Sequence, residues 1–314
     1  MNKLAFVFPG QGAQAVGMGK DFCEKYDVAK RLFKEADEAL GYSIQQMCFE
    51  GPAEELKLTA NTQPAILTMS VISYAILKEH GIEPEIVGGH SLGEYSALVA
   101  ADVLDFQDAV SLVHKRGQYM QEAVPVGEGG MAAIIGLGDD VIADACAKAE
   151  KEAGVVQPVN FNCPGQTVIA GSTKGVEAAV ETLKAAGAKK AVILPVSAPF
   201  HSTLMQPAAV KLAAELDKVT IRDAKIPVVS NYTGALEQKA DEIKANLVAQ
   251  ADHPVKWIAC VKAMQAFGAD TFVEAGPGKT LCGFNRRIDR SLTSMNVENL
   301  ETLEKTLDYF KEVR

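Results

Sequence analysis

The 314-residue sequence predicts an α/β protein in two parts. Three observations carry that reading. Short apolar runs that stop at glycine or proline alternate with stretches at helical spacing. A glycine-rich break, "VPVGEGG" at residues 124–130, interrupts the alternation, and the segment beyond it has its own order, β-α-β-β-α-β. Residues 1–126 and 198–314 are therefore expected to build a larger α/β body, and residues 127–197 an inserted ferredoxin-like domain.

The elements can be taken in chain order. "LAFVF" at 4–8 is five apolar residues ending at Pro9-Gly10, which reads as a buried strand entering a glycine loop. No small-residue cleavage site lies behind a longer apolar core, so it does not read as a signal peptide. "TQPAILTMSVISYAILKEHG" at 62–81 predicts a helix with Pro64 in its first turn and Gly81 as its C-terminal cap. After Pro84 a short strand, "EIVGG", runs into Gly89-His90-Ser91-Leu92-Gly93, and from Leu92 onward Tyr95, Leu98, Val99 and Val103 recur at helical spacing. In the small domain the strands are expected at "MAAIIGL", "VVQPVNF", "TVIAGS" and "KAVILPV", with helices at "DDVIADACAKAEKE" and "KGVEAAVETLKAAG".

Composition excludes several classes. Hydrophobic residues make up 48% and charged residues 23%, and no apolar run approaches the roughly 18 residues that span a bilayer. A net charge of −9 repels polyphosphate, which argues against nucleic acid and means that an acidic partner needs a local basic patch. Six scattered cysteines without a CxxC pair indicate neither a disulfide framework nor zinc, and a reducing cytoplasm fits them best. No metal-ligand spacing such as H-E-x-x-H occurs, so no metal is expected.

Gly89 to Gly93 fit G-x-S-x-G between a strand and a helix, the setting of a nucleophile elbow. A glycine-rich turn capped by serine would use the same five residues; the strand before and the helix after favour a nucleophilic Ser91, with the helix N-terminus polarising an oxyanion. Serine needs a base. His90 is its neighbour on a turn and points apart, His80 ends a helix among charges, and His114 lies in a helix with spacing for a plain surface role. His253 is the fifth histidine, and His201, where the chain re-enters the large body, is the best candidate. "GQGAQA" at 10–15 mimics a dinucleotide loop, but its helix starts several residues late. "AGPGKT" at 275–280 lacks the first glycine of a phosphate loop, since Val273 stands there. Arg116, alone, reads as a surface residue.

Together "FPGQGAQ", "GHSLGEYSAL", "KRGQYM", "SAPFHS", "VSNYTG", "QADHPVKW" and "VEAGPGKTL" closely resemble, over nearly the whole chain, the malonyl-CoA:acyl carrier protein transacylases of bacterial type II fatty acid synthesis. The resemblance implies an α/β-hydrolase-like body with the ferredoxin-like insertion. It also implies an oxyanion hole from the backbone N–H groups of Gln11 and Leu92, a His201 oriented by the backbone carbonyl of Gln250, and an Arg116 that holds the malonyl carboxylate. Phe200, before the histidine, is similar to the residue that accompanies malonyl in related domains, and Asn160 and Asn162 would meet the pantetheine arm. Lys189, Lys190, Arg286 and Arg287 are expected to offer the acidic carrier protein its basic patch.

The reaction so implied is ping-pong, with malonyl-CoA and carrier-bound phosphopantetheine as substrates and no cofactor, in a cytoplasmic protein expected to be a monomer. Two rivals predict differently. A serine esterase would orient its histidine with Asp102, Asp105 or Asp108 and have little use for Arg116; a non-catalytic scaffold would leave Ser91 unacylated.

Overall fold

The structure is a computed structural model and describes residues 3–313; Met1, Asn2 and Arg314, at the outer ends of the expected large body, lie outside them. Among the described residues the strands are β1 (Lys3–Phe8), β2 (Ile86–Gly89), β3 (Gly129–Ile135), β4 (Val156–Cys163), β5 (Gln166–Ser172), β6 (Lys190–Ile193), β7 (Val228–Val229), β8 (Leu236–Glu237), β9 (Ala269–Ala275) and β10 (Thr293–Val297). They form two sheets, one ordered β10-β9-β1-β2-β7-β8 and the other β4-β5-β3-β6.

The first sheet is parallel except at β8. Its central strand β1 is buried along both faces from Leu4 to Phe8, which is why "LAFVF" is continuously apolar and does not alternate. Phe8 lies beside Gly89, so the loops after β1 and β2 leave the same edge of the sheet together. The helix Gly93–Ala100 crosses very close to both strands. A side chain on Gly89 would overlap the carbonyl of Gly93, and one on Gly93 would overlap the carbonyl of Phe8. Two of the glycines in the G-x-S-x-G pattern are thus required by backbone approach.

The helix before β2 starts earlier than the sequence suggests. It spans Thr59–Glu79, so Pro64 lies inside it and not in its first turn. Proline leaves the carbonyl four residues back without a donor; here that carbonyl belongs to Ala60 and accepts from His114 Nδ1 at 2.8 Å, which also removes His114 from the plain surface role expected of it. Gly81 does end this helix, with φ 71° and its N–H on the Lys78 carbonyl.

The second sheet is antiparallel throughout, and its strands and the helices Asp139–Ala153 and Thr173–Ala185 follow the predicted order β-α-β-β-α-β. Ile134, Ile142, Ile169, Val176, Val180 and Leu183 pack the helices onto one face. The other face, with Met131, Val159, Val168 and Ala170, meets Leu194, Val196 and Phe200. The last strand stops at Ile193, short of the expected "KAVILPV". Beyond it the Leu194 N–H still meets the Met131 carbonyl of β3, and the chain then turns, with the Val196 N–H on the Leu194 carbonyl, and carries Val196 off the sheet edge. The two sheets are tied where Val255 bonds β4 through Val159 and Phe161.

The close approach of Gly93 to β1 makes a prediction. Gly93→Ala should destabilise the protein by about 3 kcal/mol or prevent folding, since the obstacle is backbone. Gly283→Ala, on a helix with open space around it, should be neutral or stabilise by about 0.5–1 kcal/mol. Urea midpoints of the two variants decide it; equal stability of both would contradict the packing described.

Candidate active site

Ser91 sits at the turn between β2 and the helix Gly93–Ala100 with φ 52°, a left-handed conformation that non-glycine residues rarely hold. Asn231 holds the turn there. Its Oδ1 accepts from the Ser91 N–H at 2.6 Å and its Nδ2 donates to the Gly89 carbonyl at 2.7 Å. His201 is left-handed too, at φ 64°, just after the chain returns from the second sheet.

These two backbones aim their side chains at each other. Ser91 Oγ lies 2.7 Å from His201 Nε2, and His201 Nδ1 lies 2.8 Å from the Gln250 carbonyl. A carbonyl only accepts, so Nδ1 carries the proton and Nε2 presents its lone pair to the serine. Burial, and after it the charge of Arg116, pushes the His201 pKa down to about 3, so the ring is neutral at physiological pH with its Nε2 lone pair free. Asp102 and Asp105 do not orient it; both pair with Arg222, and Gln250 occupies the position an acid would take.

Arg116 is not a surface residue. It is 2% exposed, donates from Nη1 to Gln63 Oε1 at 2.8 Å and from Nη2 to Gln250 Oε1 at 2.9 Å, and reaches Ser91 Oγ at 3.2 Å. Its guanidinium carbon lies 5.3 Å from the centre of the Tyr95 ring. No carboxylate among the described residues forms an ion pair with it. A buried guanidinium bonded only to neutral oxygens is a costly arrangement, and it is suited to an incoming anion.

Ser91, His201 and Arg116 face one cavity of about 130 Å³ between the sheets, lined also by Gln11, Gln63, His90, Leu92, Met120, Met131, Asn160, Leu194, Val196 and Phe200. Gln11 and Leu92 lie on the loops after β1 and β2, and neither backbone N–H has a hydrogen-bond partner among the described residues. Asn160 leaves its Oδ1 buried and unpartnered. Asn162 does not line the cavity as expected: its Oδ1 is held by His90 Nε2 at 2.8 Å, and His90 packs against Trp257 and Phe284. The remaining histidines are elsewhere, His80 on Tyr26 and His253 on Asp252, both exposed.

Three of the four basic residues, Lys189, Lys190 and Arg287, adjoin one end of the second sheet, and Arg286 precedes Arg287 on the helix Thr280–Ile288. Ile135 pairs with Gln166 on one side and Lys190 on the other, Lys189 adjoins Lys190, and Arg287 reaches from that helix to Gln166 Oε1 at 2.6 Å and the Pro164 carbonyl at 3.0 Å. All four are exposed. The two glycine loops set aside in the sequence hold no phosphate-binding helix end: the next helix after Gly10 starts at Lys20, and the first N–H groups after "AGPGKT", those of Leu281 and Cys282, are taken by Glu274.

Gln63, Glu94, Tyr95 and Asn231 complete the site without having been assigned to it from the sequence, where Tyr95 was read only as part of a helix face. Glu94 and Tyr95 lie inside "GHSLGEYSAL", but no spacing rule separates a buried polar residue from an exposed one.

The acyl transferase domain family model matches residues 5–303. The chain is 49% identical over 312 residues to the malonyl CoA-acyl carrier protein transacylase of Bacillus subtilis, covering 99% of this chain and 98% of the relative. It is 50% identical over 309 residues to that of Escherichia coli strain K12, with 98% and 100% covered. Among solved structures, an acyl carrier protein S-malonyltransferase from Vibrio cholerae superposes with a TM-score of 0.94 at 48% identity, covering 97% of this chain and 99% of the other. A malonyl-transacylase in complex with a type II PKS acyl-carrier protein gives 0.95 at 44%, with 98% and 99% covered. The chain belongs to the acyl transferase domain family, among the malonyl CoA-acyl carrier protein transacylases.

Proposed function

We propose that the chain moves a malonyl group from malonyl-CoA to the phosphopantetheine thiol of acyl carrier protein, in fatty acid synthesis, through a malonyl ester on Ser91. One observation carries this reading: a buried guanidinium with no ion-paired carboxylate among the described residues stands 3.2 Å from the serine hydroxyl, in the same cavity. A planar guanidinium grips a carboxylate through two charge-assisted bonds, which malonyl offers and acetyl does not.

His201 Nε2 takes the hydroxyl proton as Ser91 Oγ attacks the thioester carbonyl. The oxyanion receives the N–H groups of Gln11 and Leu92, helped by the N-terminus of the helix Gly93–Ala100. The C–S bond then breaks, coenzyme A leaves with the proton held on His201, and the malonyl ester remains. The carrier thiol repeats the steps in reverse order, giving its proton to His201, and Ser91 is restored. Gln250 orients the base by a main-chain carbonyl, Phe200 walls the acyl end of the cavity, and the free Oδ1 of Asn160 suits a pantetheine amide N–H. The basic end of the second sheet takes the acidic carrier protein.

The same reading divides the chain into an α/β-hydrolase-like body, 1–126 and 198–314, and a ferredoxin-like domain, 127–197. Its support is a nucleophile on the turn after a parallel strand and an antiparallel β-α-β-β-α-β unit ordered β4-β5-β3-β6. The chemistry draws on hydroxyl, imidazole and guanidinium alone, so no cofactor is assigned. Among the described residues the exposed large apolar side chains stand singly along the chain except for Val192 and Ile193 on β6, which suits a monomer, and the six buried thiols, none in a disulfide, suit the cytoplasm.

Incubation with radiolabelled malonyl-CoA, with and without carrier protein, should place label on Ser91 alone and pass it to the carrier faster than to water. Absence of label from Ser91, or release as malonate at the same rate with or without carrier, would reject the transferase. Arg116→Ala should slow malonyl loading about a hundredfold, the loss of a charge-assisted bond or two, and acetyl loading far less. Reversing charge at Lys189 and Lys190 should raise KM for carrier protein severalfold and leave loading from malonyl-CoA unchanged; equal effects on both would reject the patch.

A further inference from the structure

We propose that Glu94 is a positioning residue, whose buried carboxyl fixes the orientation of the Gln250 side chain and, through it, the guanidinium of Arg116. The inference rests on Arg116 holding a substrate carboxylate, as proposed above.

Glu94 is the second residue of the helix Gly93–Ala100 and is fully buried behind the cavity. No cation forms an ion pair with it among the described residues; its hydrogen-bond donors are neutral. Its Oε2 accepts from Gln250 Nε2 at 2.9 Å and from the Asn231 N–H at 3.0 Å. The other hydrogen of Gln250 Nε2 goes to the Ser91 carbonyl at 2.9 Å, while Gln250 Oε1 accepts from Arg116 Nη2 at 2.9 Å. Turned end for end, that amide would set its oxygen against two acceptors and its NH₂ against a guanidinium donor. Glu94 therefore helps decide which end of Gln250 faces the arginine. By holding the Asn231 N–H it also steadies the residue that grips the Ser91 turn. A carboxyl buried without a cation is a poor choice for stability alone; here it is an acceptor that two converging donors require. Burial, and then the Glu237 carboxyl, raise the Glu94 pKa.

The test compares Glu94→Met, of similar length but without an acceptor, with Glu94→Gln, which can still present an oxygen to both donors. Malonyl and acetyl loading from their CoA thioesters are measured per serine titrated by a phosphonylating reagent, so misfolded protein is not counted. Glu94→Met should lower malonyl loading at least tenfold and acetyl loading by less than threefold. Glu94→Gln should keep the malonyl-to-acetyl ratio within threefold of the parent. A merely structural role would lower both substrates together or neither, and that outcome for Glu94→Met overturns the inference. So does a Glu94→Gln protein that loses the ratio, a result that stands even where Glu94→Met does not fold. The parent protein is the control for the underlying reading: if it fails to load malonyl, the transferase falls and the positioning role with it; if it loads while Glu94→Met keeps the ratio, only the positioning role falls.

Discussion

The hydrogen bond from Ser91 Oγ to His201 Nε2 joins residues 110 apart in the chain, and most of the structure around it exists to make that contact. Both residues stand in a left-handed conformation that their side chains disfavour. The serine is held there because β1, β2 and the helix Gly93–Ala100 approach at distances only glycine permits, and because Asn231 ties the turn on both sides. The histidine is held by the return of the chain from the second sheet and by the carbonyl of Gln250. Hydrogen bonds with Asn231 at one end and with the Gln250 carbonyl at the other sustain that strain.

Electrostatics gives the contact its direction. Burial and the nearby guanidinium both oppose a charged imidazole, so His201 waits with its lone pair available. Among the described residues no carboxylate pairs with the guanidinium in turn, and its neutral partners Gln63 and Gln250 fix where an incoming one must sit. In the proposed complex the substrate carboxylate offsets the charge that opposes imidazolium, so the base is strengthened once the correct acyl group is in place. Selection for malonyl and activation of the serine then share one cation.

The sequence was legible where its information is local. The elbow at Ser91 could be read because its glycines, strand and helix are adjacent in the chain. The order of the small sheet could be read because each element has its own periodicity. The overrun of β6 into Leu194 and Val196 arose because a residue apolar for a cleft looks the same as one apolar for a sheet. Pro64 misled about a helix start because its relief comes from His114, far along the chain. Gln250 was reached through family resemblance alone, since its contribution to His201 is a main-chain carbonyl that any residue possesses. Glu94, Asn231 and Gln63 were invisible for a related reason, as a buried amide or carboxyl acquires its meaning from partners scattered over the fold. Asn162 was placed in the cleft on resemblance, and the structure gives it to His90.

The most direct test of the account is the ionisation state of one ring. Nitrogen-15 NMR of the imidazole of His201, monitored from pH 8 downward, should show a neutral ring protonated on Nδ1, with no charging until well below pH 5. The sign comes from the lowered pKa: the neutral form persists until pH falls through the folded value, while an unfolded histidine charges near its usual pKa of about 6.5. A midpoint near 6.5, or a proton on Nε2, would contradict the account, because the serine would then face a cation or a donor instead of a base.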